Sequence, residues 1–397
     1  MIKKIVYKIE NVARIYSGGD KPECCSNEKN DEFSVPIYSN GLENEGLYGY
    51  TNKAQIEGDC ITVSARGVNI GTVFYRQQPF LPIVRLLSVI PDRSKINPKY
   101  LYYYFKTDKI IGTGSAQPQI TIPFFSKKKI YVFENIETQK KIASVLSAYD
   151  NLIENNNKRI KILEQMAENL YKEWFVRFRF PGHETTTLEN GIPKGWKVKP
   201  LNDWLIDNFN GGWGEEDAIG TKSSPASVIR GTDIEDVKSA IIDNVPLRYH
   251  TEKEVSQKSL QVHDIILELS NGNINNIGRT LYIDELLLTH FSSVMCASFC
   301  KTLRCKNESD AFYIWLYIQY LQNSGLMNYY KNTGTNGINN FNFKRFLKMK
   351  IAMPANCLLK PFVHLYQNIF LLREHNYNLI KQRDLLLPRL MSGKLAV

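Results

Sequence analysis

At 397 residues, 43% of them hydrophobic and 23% charged, the chain is long enough for two domains with their own cores. Its formal charge of +10 favours a polyanionic partner, because Lys and Arg clusters gain affinity by releasing counterions from phosphate, and seven irregularly spaced cysteines fit reduced thiols rather than a disulfide framework. Met1 to Glu10 alternates charged and apolar residues without a signal-like core, and apolar stretches such as Leu286 to Cys300 are too short and interrupted for a bilayer, so a cytoplasmic chain with no membrane partner is expected.

In chain order, residues 1–133 form a first globular segment of short β-branched and aromatic runs broken by Gly, Asn and Pro. Ile61, Val63 and Ala65 alternate with Thr62, Ser64 and Arg66, which predicts a strand buried on one face. Asn97 and Pro98 suit the cap and first position of a helix whose apolar stripe is Tyr100, Leu101, Tyr104 and Phe105.

Residues 134–180 change character. Ile142, Leu146, Tyr149, Ile153, Asn156, Ile160, Leu163, Ala167, Leu170 and Trp174 step by four and three, the seam of a coiled coil. A helix from about Glu137 to Val176 would be roughly 60 Å long at 1.5 Å per residue. Residues 181–195 are a linker rich in Pro and Gly, and 196–354 a second globular segment. Within 355–397, Leu365, Ile369, Leu372, Asn376, Leu379, Leu386 and Leu390 repeat the seam, with Arg383 its one charged member. Two such helices are expected to pack antiparallel with Asn156 and Asn376 paired, and replacing Asn156 with Leu to stabilise the pair while loosening its register.

The two globular segments also repeat each other. Val6, Ile9, Val12 and Gly18-Gly19 recur as Val198, Leu201, Trp204 and Gly211-Gly212; Gly58-Asp59 and Ile70-Gly71 recur as His263-Asp264 and Ile277-Gly278. The loop Thr113 to Gln119, then Lys127-Lys128-Lys129-Ile130, recurs as Thr333 to Gly337, then Lys348-Met349-Lys350-Ile351. Side chains match in type more than in identity, which predicts one mixed α and β fold carrying two different surfaces.

Phosphate-binding and dinucleotide glycine loops and the His-Glu-x-x-His metal motif are missing. Asn97-Pro98-Lys99-Tyr100 approaches the Asn-Pro-Pro-Tyr loop of amino-methyltransferases, but a Lys replaces the second Pro and a helix start suffices to explain it. Cys296, Cys300 and Cys305 near His290 lack the paired Cys-x-x-Cys of a metal knuckle and read as buried strand residues; Asp59 and Asp264 read as turn caps. No catalytic residue and no metal ligand is assigned.

Three segments carry a family resemblance. Ala167-Glu168-Asn169-Leu170-Tyr171-Lys172-Glu173-Trp174-Phe175-Val176, Gly191-Ile192-Pro193-Lys194-Gly195-Trp196 and Leu385-Leu386-Leu387-Pro388-Arg389-Leu390-Met391-Ser392-Gly393-Lys394-Leu395, in this order, resemble the specificity subunit of type I restriction-modification systems. The first domain departs from the pattern by lacking the Pro-x-Gly-Trp opening of the second. The resemblance implies two tandem α+β target-recognition domains separated by two long helices packed as an antiparallel coiled coil, each domain reading half of a split double-stranded DNA target. It implies helices that set the spacer and dock two methyltransferase subunits, restriction (translocase-nuclease) subunits as further partners, and S-adenosylmethionine, ATP and Mg on the partners rather than on this chain.

For base edges the polar loops supply Arg66, Asn69, Ser115, Gln117 and Gln119 in the first domain, and Asn271, Asn273, Asn275, Thr335, Asn336 and Asn339 in the second, since Asn and Gln pair with adenine and Arg with guanine. For phosphates the candidates are Lys127, Lys128, Lys129, Lys344, Arg345, Lys348 and Lys350. Two other readings are a self-sufficient DNA adenine methyltransferase using the Asn97 loop, and a coiled-coil adaptor without a nucleic-acid role.

Overall fold

The computed structural model describes residues 3–108, 110–112, 118–332 and 339–397. By contacts the chain divides into two compact units, one of residues 1–152 with 379–397 and one of residues 153–378.

In the first unit, β1 (Lys4–Lys8), β2 (Ala13–Ser17), β3 (Val35–Tyr38), β4 (Leu47–Thr51), β5 (Cys60–Val63), β6 (Val73–Arg76), β7 (Leu81–Pro82) and β8 (Leu87–Pro91) precede the helix α1 (Pro98–Thr107), a short helix α2 (Ile122–Ser126) and β9 (Lys129–Phe133). They form sheets of order β2-β8-β5-β6 and β4-β3-β7 and an antiparallel pair β1-β9. Asn97 caps α1 by accepting from the Tyr100 amide at 3.0 Å, so the helix-start explanation of this motif holds. Ile61, Val63 and Val89 pack with Tyr100, Leu101 and Phe105.

Strand β5 departs from the expected half-burial, because all four of its residues are buried. Thr62 faces Arg76, itself buried, whose Nε donates to Thr62 Oγ1 at 3.1 Å and whose guanidinium lies 3.6 Å from the Tyr38 ring centroid. A polar alternation therefore marks an internal polar layer here rather than a solvent face. Asp59 is a second correction: at φ 53° it caps nothing and instead accepts from the Tyr75 hydroxyl and Arg93.

Helix α3 (Ile136–Tyr171) starts in the first unit, continues into the second, and ends in a π-turn over Lys172–Val176. The second unit then contains a small hairpin of β10 (Leu188–Glu189) and β11 (Ile192–Pro193), followed by β12 (Lys197–Pro200), β13 (Leu205–Asn210), β14 (Lys222–Ile229), α4 (Ile234–Lys238), β15 (Leu247–Thr251) and α5 (Glu252–Lys258). After these come β16 (Ile265–Glu268), β17 (Ser270–Asn271), β18 (Thr280–Tyr282), α6 (Glu285–Leu288), β19 (Val294–Cys296), β20 (Cys300–Cys305) and α7 (Glu308–Asn323). The last elements are β21 (Lys331–Asn332), β22 (Asn339–Phe341), α8 (Phe343–Leu347), β23 (Lys350–Met353) and α9 (Lys360–Ser392), whose C-terminal turns belong to the first unit.

The sheets β13-β20-β16-β18, β15-β14-β19 and β12-β23 reproduce the three of the first unit, and β17-β22-β21 forms a further one. The repeat extends to single residues. Gly71 and Gly278 both turn left-handed, at φ 83° and 84°, and Asn307 caps α7 as Asn97 caps α1. Asp264 does cap its turn, accepting from the Gln261 amide at 2.8 Å, and it also pairs with Arg304.

The long helices follow their seam residues. Ile142, Leu146, Asn156, Ala167, Ile369, Leu372, Asn376, Leu379 and Leu390 are buried, and Tyr149, Ile153, Ile160, Leu163, Leu170, Trp174, Leu365 and Leu386 are partly buried. Within the second unit the two helices run antiparallel, with Glu164 paired to Arg373 at 2.9 Å and Trp174 against Phe362. Asn156 Nδ2 donates to Asn376 Oδ1 at 2.9 Å, and Asn376 Nδ2 donates to Asn157 Oδ1 at 2.8 Å. In the first unit the charged seam residue Arg383 reaches Asp150 at 2.7 Å, and Asp150 also accepts from the Tyr103 hydroxyl at 2.6 Å.

The asparagine pair reverses the expectation for a lone leucine at 156. Asn156→Leu strips the donor from a buried Asn376 carbonyl, a loss of roughly 1–3 kcal/mol. The single variant is expected to melt below the parent, and the double variant Asn156→Leu with Asn376→Leu to melt above the single. Differential scanning calorimetry on the three proteins checks the order.

Candidate nucleic-acid interface

In each unit the buried central strand, β5 or β16, ends where its main chain must find partners beyond the sheet, and the polar loops are built around those partners. In the first unit Ala65 follows β5. Its carbonyl accepts from the Ile120 amide at 2.9 Å, and its amide donates to Asn40 Oδ1 at 2.9 Å. Asn40 in turn gives its Nδ2 to the Val84 carbonyl at 2.7 Å and its own carbonyl to Asn69 Nδ2 at 3.3 Å. One side chain thus ties together three loops.

Beside it the Arg66 guanidinium donates to Gln119 Oε1 at 3.1 Å. The structure therefore gathers Arg66, Asn69 and Gln119 in one patch, while Ser115 and Gln117 lie outside the described residues. Lys127 and Lys129 are exposed at the start of β9, where Lys129 sits opposite Lys8, and Lys128 is paired with Asp108 at 3.1 Å. Lys129 belongs to the β1-β9 pair, and Lys127 and Lys128 join α2 to it.

In the second unit Leu269 takes the place of Ala65. Its amide donates to the Phe299 carbonyl at 2.9 Å and its carbonyl accepts from the Phe341 amide at 2.8 Å. Just before it, Glu268 is buried with one oxygen 2.9 Å from Arg279 Nε and the other accepting from Asn271 Nδ2 at 2.7 Å. Arg279 also reaches the Gly231 carbonyl at 2.8 Å, and a Cβ at Gly231 would stand 2.0 Å from Glu268 Oε1, so only glycine admits the carboxylate.

From that anchor the asparagines form a ladder. Asn271 Oδ1 accepts from the Asn273 amide at 2.8 Å, Asn273 Oδ1 accepts from the Asn275 amide at 3.0 Å, and Gln322 donates to the Asn275 carbonyl at 3.1 Å. Asn271 and Asn273 thus spend their side-chain oxygens on loop shape. Asn275 is exposed.

Asn339 is 8% exposed and donates to the Gly272 carbonyl at 3.0 Å, so it holds the loop instead of facing outward. Its neighbour Asn340, exposed and accepting from Ser270 Oγ at 2.7 Å, takes the outward place. Strand alternation was the available signal, since adjacent residues of β22 point to opposite faces. Thr335 and Asn336 lie outside the described residues.

Of the basic residues near this unit's α8, Lys344, Arg345, Lys348 and Lys350 are exposed, and the Arg345 guanidinium stacks 3.4 Å from the Tyr329 ring centroid. Lys301 was not anticipated: its amine sits 4.7 Å over the Phe343 ring, and burial lowers its pKa. Asn40, Asn340, Glu268 and Arg279 were likewise missed.

Catalytic chemistry finds little purchase on these groups. Cys296 and Cys300 are buried and Cys305 half-buried, and burial pushes the Cys305 thiol up to about 12, which keeps it protonated. His290 pairs instead with Glu374 at 2.7 Å. Among the described residues, no three His, Cys, Asp or Glu side chains are placed to hold a metal ion, and no helix is long and apolar enough to cross a membrane. What the loop ends do offer is a set of amides and cations of mixed donor and acceptor character on rigid supports.

Comparison with known proteins agrees with this picture. Residues 1–165 match the family model of the type I restriction modification DNA specificity domain. The specificity subunit of the type I restriction enzyme MjaIX from Methanocaldococcus jannaschii is 28% identical over 83% of this chain and 76% of its own length. A Mycoplasma pneumoniae chain described as a type I specificity subunit is 36% identical over 35% of this chain, and the match spans only 41% of that relative. The crystal structure of a type I restriction-modification S subunit from M. genitalium shares the fold, with a TM-score of 0.62 at 15% identity over 98% of this chain and 96% of that one. Residues 1–165 thus match a type I restriction modification DNA specificity domain, and along most of its length the chain is similar to a type I specificity subunit.

Proposed function

We propose that this chain is the DNA-reading, non-catalytic subunit of a type I restriction-modification complex. In this reading the target-recognition domains are residues 1–133 and 196–354, each contacting half of a split double-stranded target. Residues 134–180 and 355–397 supply the helices that fix the number of unread bases and dock two methyltransferase subunits, and 181–195 link the halves. Restriction subunits complete the assembly, and S-adenosylmethionine, ATP and Mg act on the partners.

The observation that carries the reading is that the same loop-end construction occurs in both units with different side chains on it. The Ala65 and Leu269 carbonyls accept equivalent main-chain bonds, from Ile120 and Phe341, yet one end presents Arg66 and Gln119 and the other Asn275 and Asn340. Two copies of one frame with unlike polar surfaces suit two unlike half-sites, read by amides and guanidinium groups at base edges. Partner docking has support of its own. Ile162 and Met166, one turn apart on α3, are 60% and 52% exposed, and Leu385 on α9 is 64% exposed, leaving apolar area on the helices for other chains to cover.

Single-molecule methylation mapping of the host genome with and without the gene tests the reading. A split motif with modified adenines in both halves is expected to vanish on deletion; a map that does not change overturns it.

Two substitutions separate frame from surface. Asn340→Ala is expected to relax the half of the motif read by the second unit and leave the other half intact, with stability within about 0.5 kcal/mol of the parent. Glu268→Ala leaves the mostly buried Arg279 unpaired and is expected to cost about 3–5 kcal/mol, partly recovered by adding Arg279→Met. Urea unfolding of these variants, alongside the methylation map, checks both.

A further inference from the structure

The repeated Gly-Gly pair has a structural purpose that the loop contacts above leave unused. Gly18 packs against the turn Ile83-Val84-Arg85-Leu86 between β7 and β8, where a Cβ would stand 2.7 Å from the Ile83 amide nitrogen. Gly211 packs against the turn Ala297-Ser298-Phe299-Cys300 between β19 and β20, where a Cβ would stand 1.8 Å from the Cys296 carbonyl oxygen. Only glycine permits either approach.

Three main-chain bonds recur in the two turns. Ile83 donates to the Tyr38 carbonyl as Ala297 does to Ile229, Leu86 donates to Ile83 as Cys300 does to Ala297, and Gly18 donates to Leu86 as Gly211 does to Cys300. This alignment places Arg85 at the position of Phe299, although Arg85 is left-handed and Phe299 is not, and both are exposed, Phe299 to 66%.

Each turn is also fastened to the candidate reading loop of its unit. In the first, Asn40 bridges the Val84 carbonyl to the Ala65 amide; in the second, the Phe299 carbonyl takes the Leu269 amide directly. Val84 and Arg85 hold left-handed φ values of 53° and 58°, which a β-branched residue adopts only at a cost that its surroundings must sustain. Gly18 and Gly19 carbonyls bind the Arg85 and Val84 amides and do so.

We infer that these paired turns are a second DNA-contacting element, distinct from the reading loops. Phe299 enters the duplex of the second unit's half-site as a stacking wedge at a base step, and Arg85 makes the corresponding contact of the first unit by charge. The inference rests on the DNA-recognition reading. A phenyl ring fits this place because the chain around it suits a nucleic acid: Lys301, two residues on at the start of β20, places its amine over the Phe343 ring, and the exposed Asn340 is hydrogen-bonded to Ser270, immediately after the Leu269 whose amide the Phe299 carbonyl takes. An exposed aromatic on a chain of net positive charge is the residue type of a base-stacking platform, and apolar wedges of this kind unstack a step and kink the duplex.

The test uses the chain in complex with its methyltransferase subunits and a duplex carrying the motif found by methylation mapping, with 2-aminopurine placed in turn along the second unit's half-site. The parent complex is expected to raise the fluorescence at one step. Phe299→Ala is expected to abolish that rise and weaken binding by about tenfold, Phe299→Trp to retain both, and neither to shift the melting temperature, because the side chain is exposed. Arg85→Ala is expected to lower the slope of log affinity against log salt by about 1, with Arg85→Lys restoring it.

Unchanged fluorescence and affinity in Phe299→Ala would overturn the inference while leaving the DNA-reading function standing. Loss of copurifying subunits with unaltered DNA binding would overturn it in favour of a protein contact. A parent complex that does not bind the duplex would overturn the reading on which it rests.

Discussion

The constraint on which this structure depends is the need to satisfy main-chain groups at the end of a strand buried on both faces. Strands β5 and β16 are buried throughout, so water cannot serve the amides and carbonyls where they leave their sheets. Ala65 and Leu269 solve the problem in the same way, each bonded on one side to the residue that follows a glycine-rich loop and on the other to the turn before the next strand, through Asn40 in one case and directly in the other. The loops that leave these strands are therefore held at both margins. A flexible loop would lose conformational entropy on binding, whereas one tied down in advance has already lost it during folding.

The electrostatics beneath the two ends differ more than the backbone does. Under the second, Glu268 neutralises Arg279 and positions Asn271, from which the asparagine ladder follows. Under the first, Arg76 is held by Glu45, Thr62 and the Tyr38 ring, and no ladder springs from it. Each buried charge has a partner, as it must where removal of one member would leave the other unsolvated. The same frame thus tolerates two internal polar networks, and the outward residues differ with them.

Much of this was legible in the sequence, for reasons that can be named. The repeat, the helix seams and the Asn97 cap depend on spacing, and spacing survives folding unchanged. The asparagine pair was legible because a polar residue inside an apolar seam has few partners open to it. What was not legible depended on contacts distant in sequence. The alternation from Ile61 to Arg66 reads as a solvent face, and nothing local reveals that Arg76 lies over Thr62. Asp59 and Asp264 look equivalent, but only the second caps its turn, because Tyr75 and Arg93 claim the first. Asn339 and Asn340 are identical residues in adjacent positions, and their opposite roles were open to a period-two argument once the strand was known.

The division between frame and surface bears on how such a chain can hold two different specificities. The residues that set the frame, among them Gly18, Gly71, Gly211, Gly231 and Gly278, are fixed by close approach or by left-handed backbone, where any side chain would clash or strain. The residues that face outward, Arg66, Gln119, Asn275 and Asn340, are at least partly exposed, where substitution costs little stability. Asn271 and Asn273 fall between the two classes, because their side chains shape the loop while their neighbours present it. A change of specificity confined to the outward set leaves the fold untouched, whereas one that needs a different loop path must also replace the ladder and the Glu268 network beneath it.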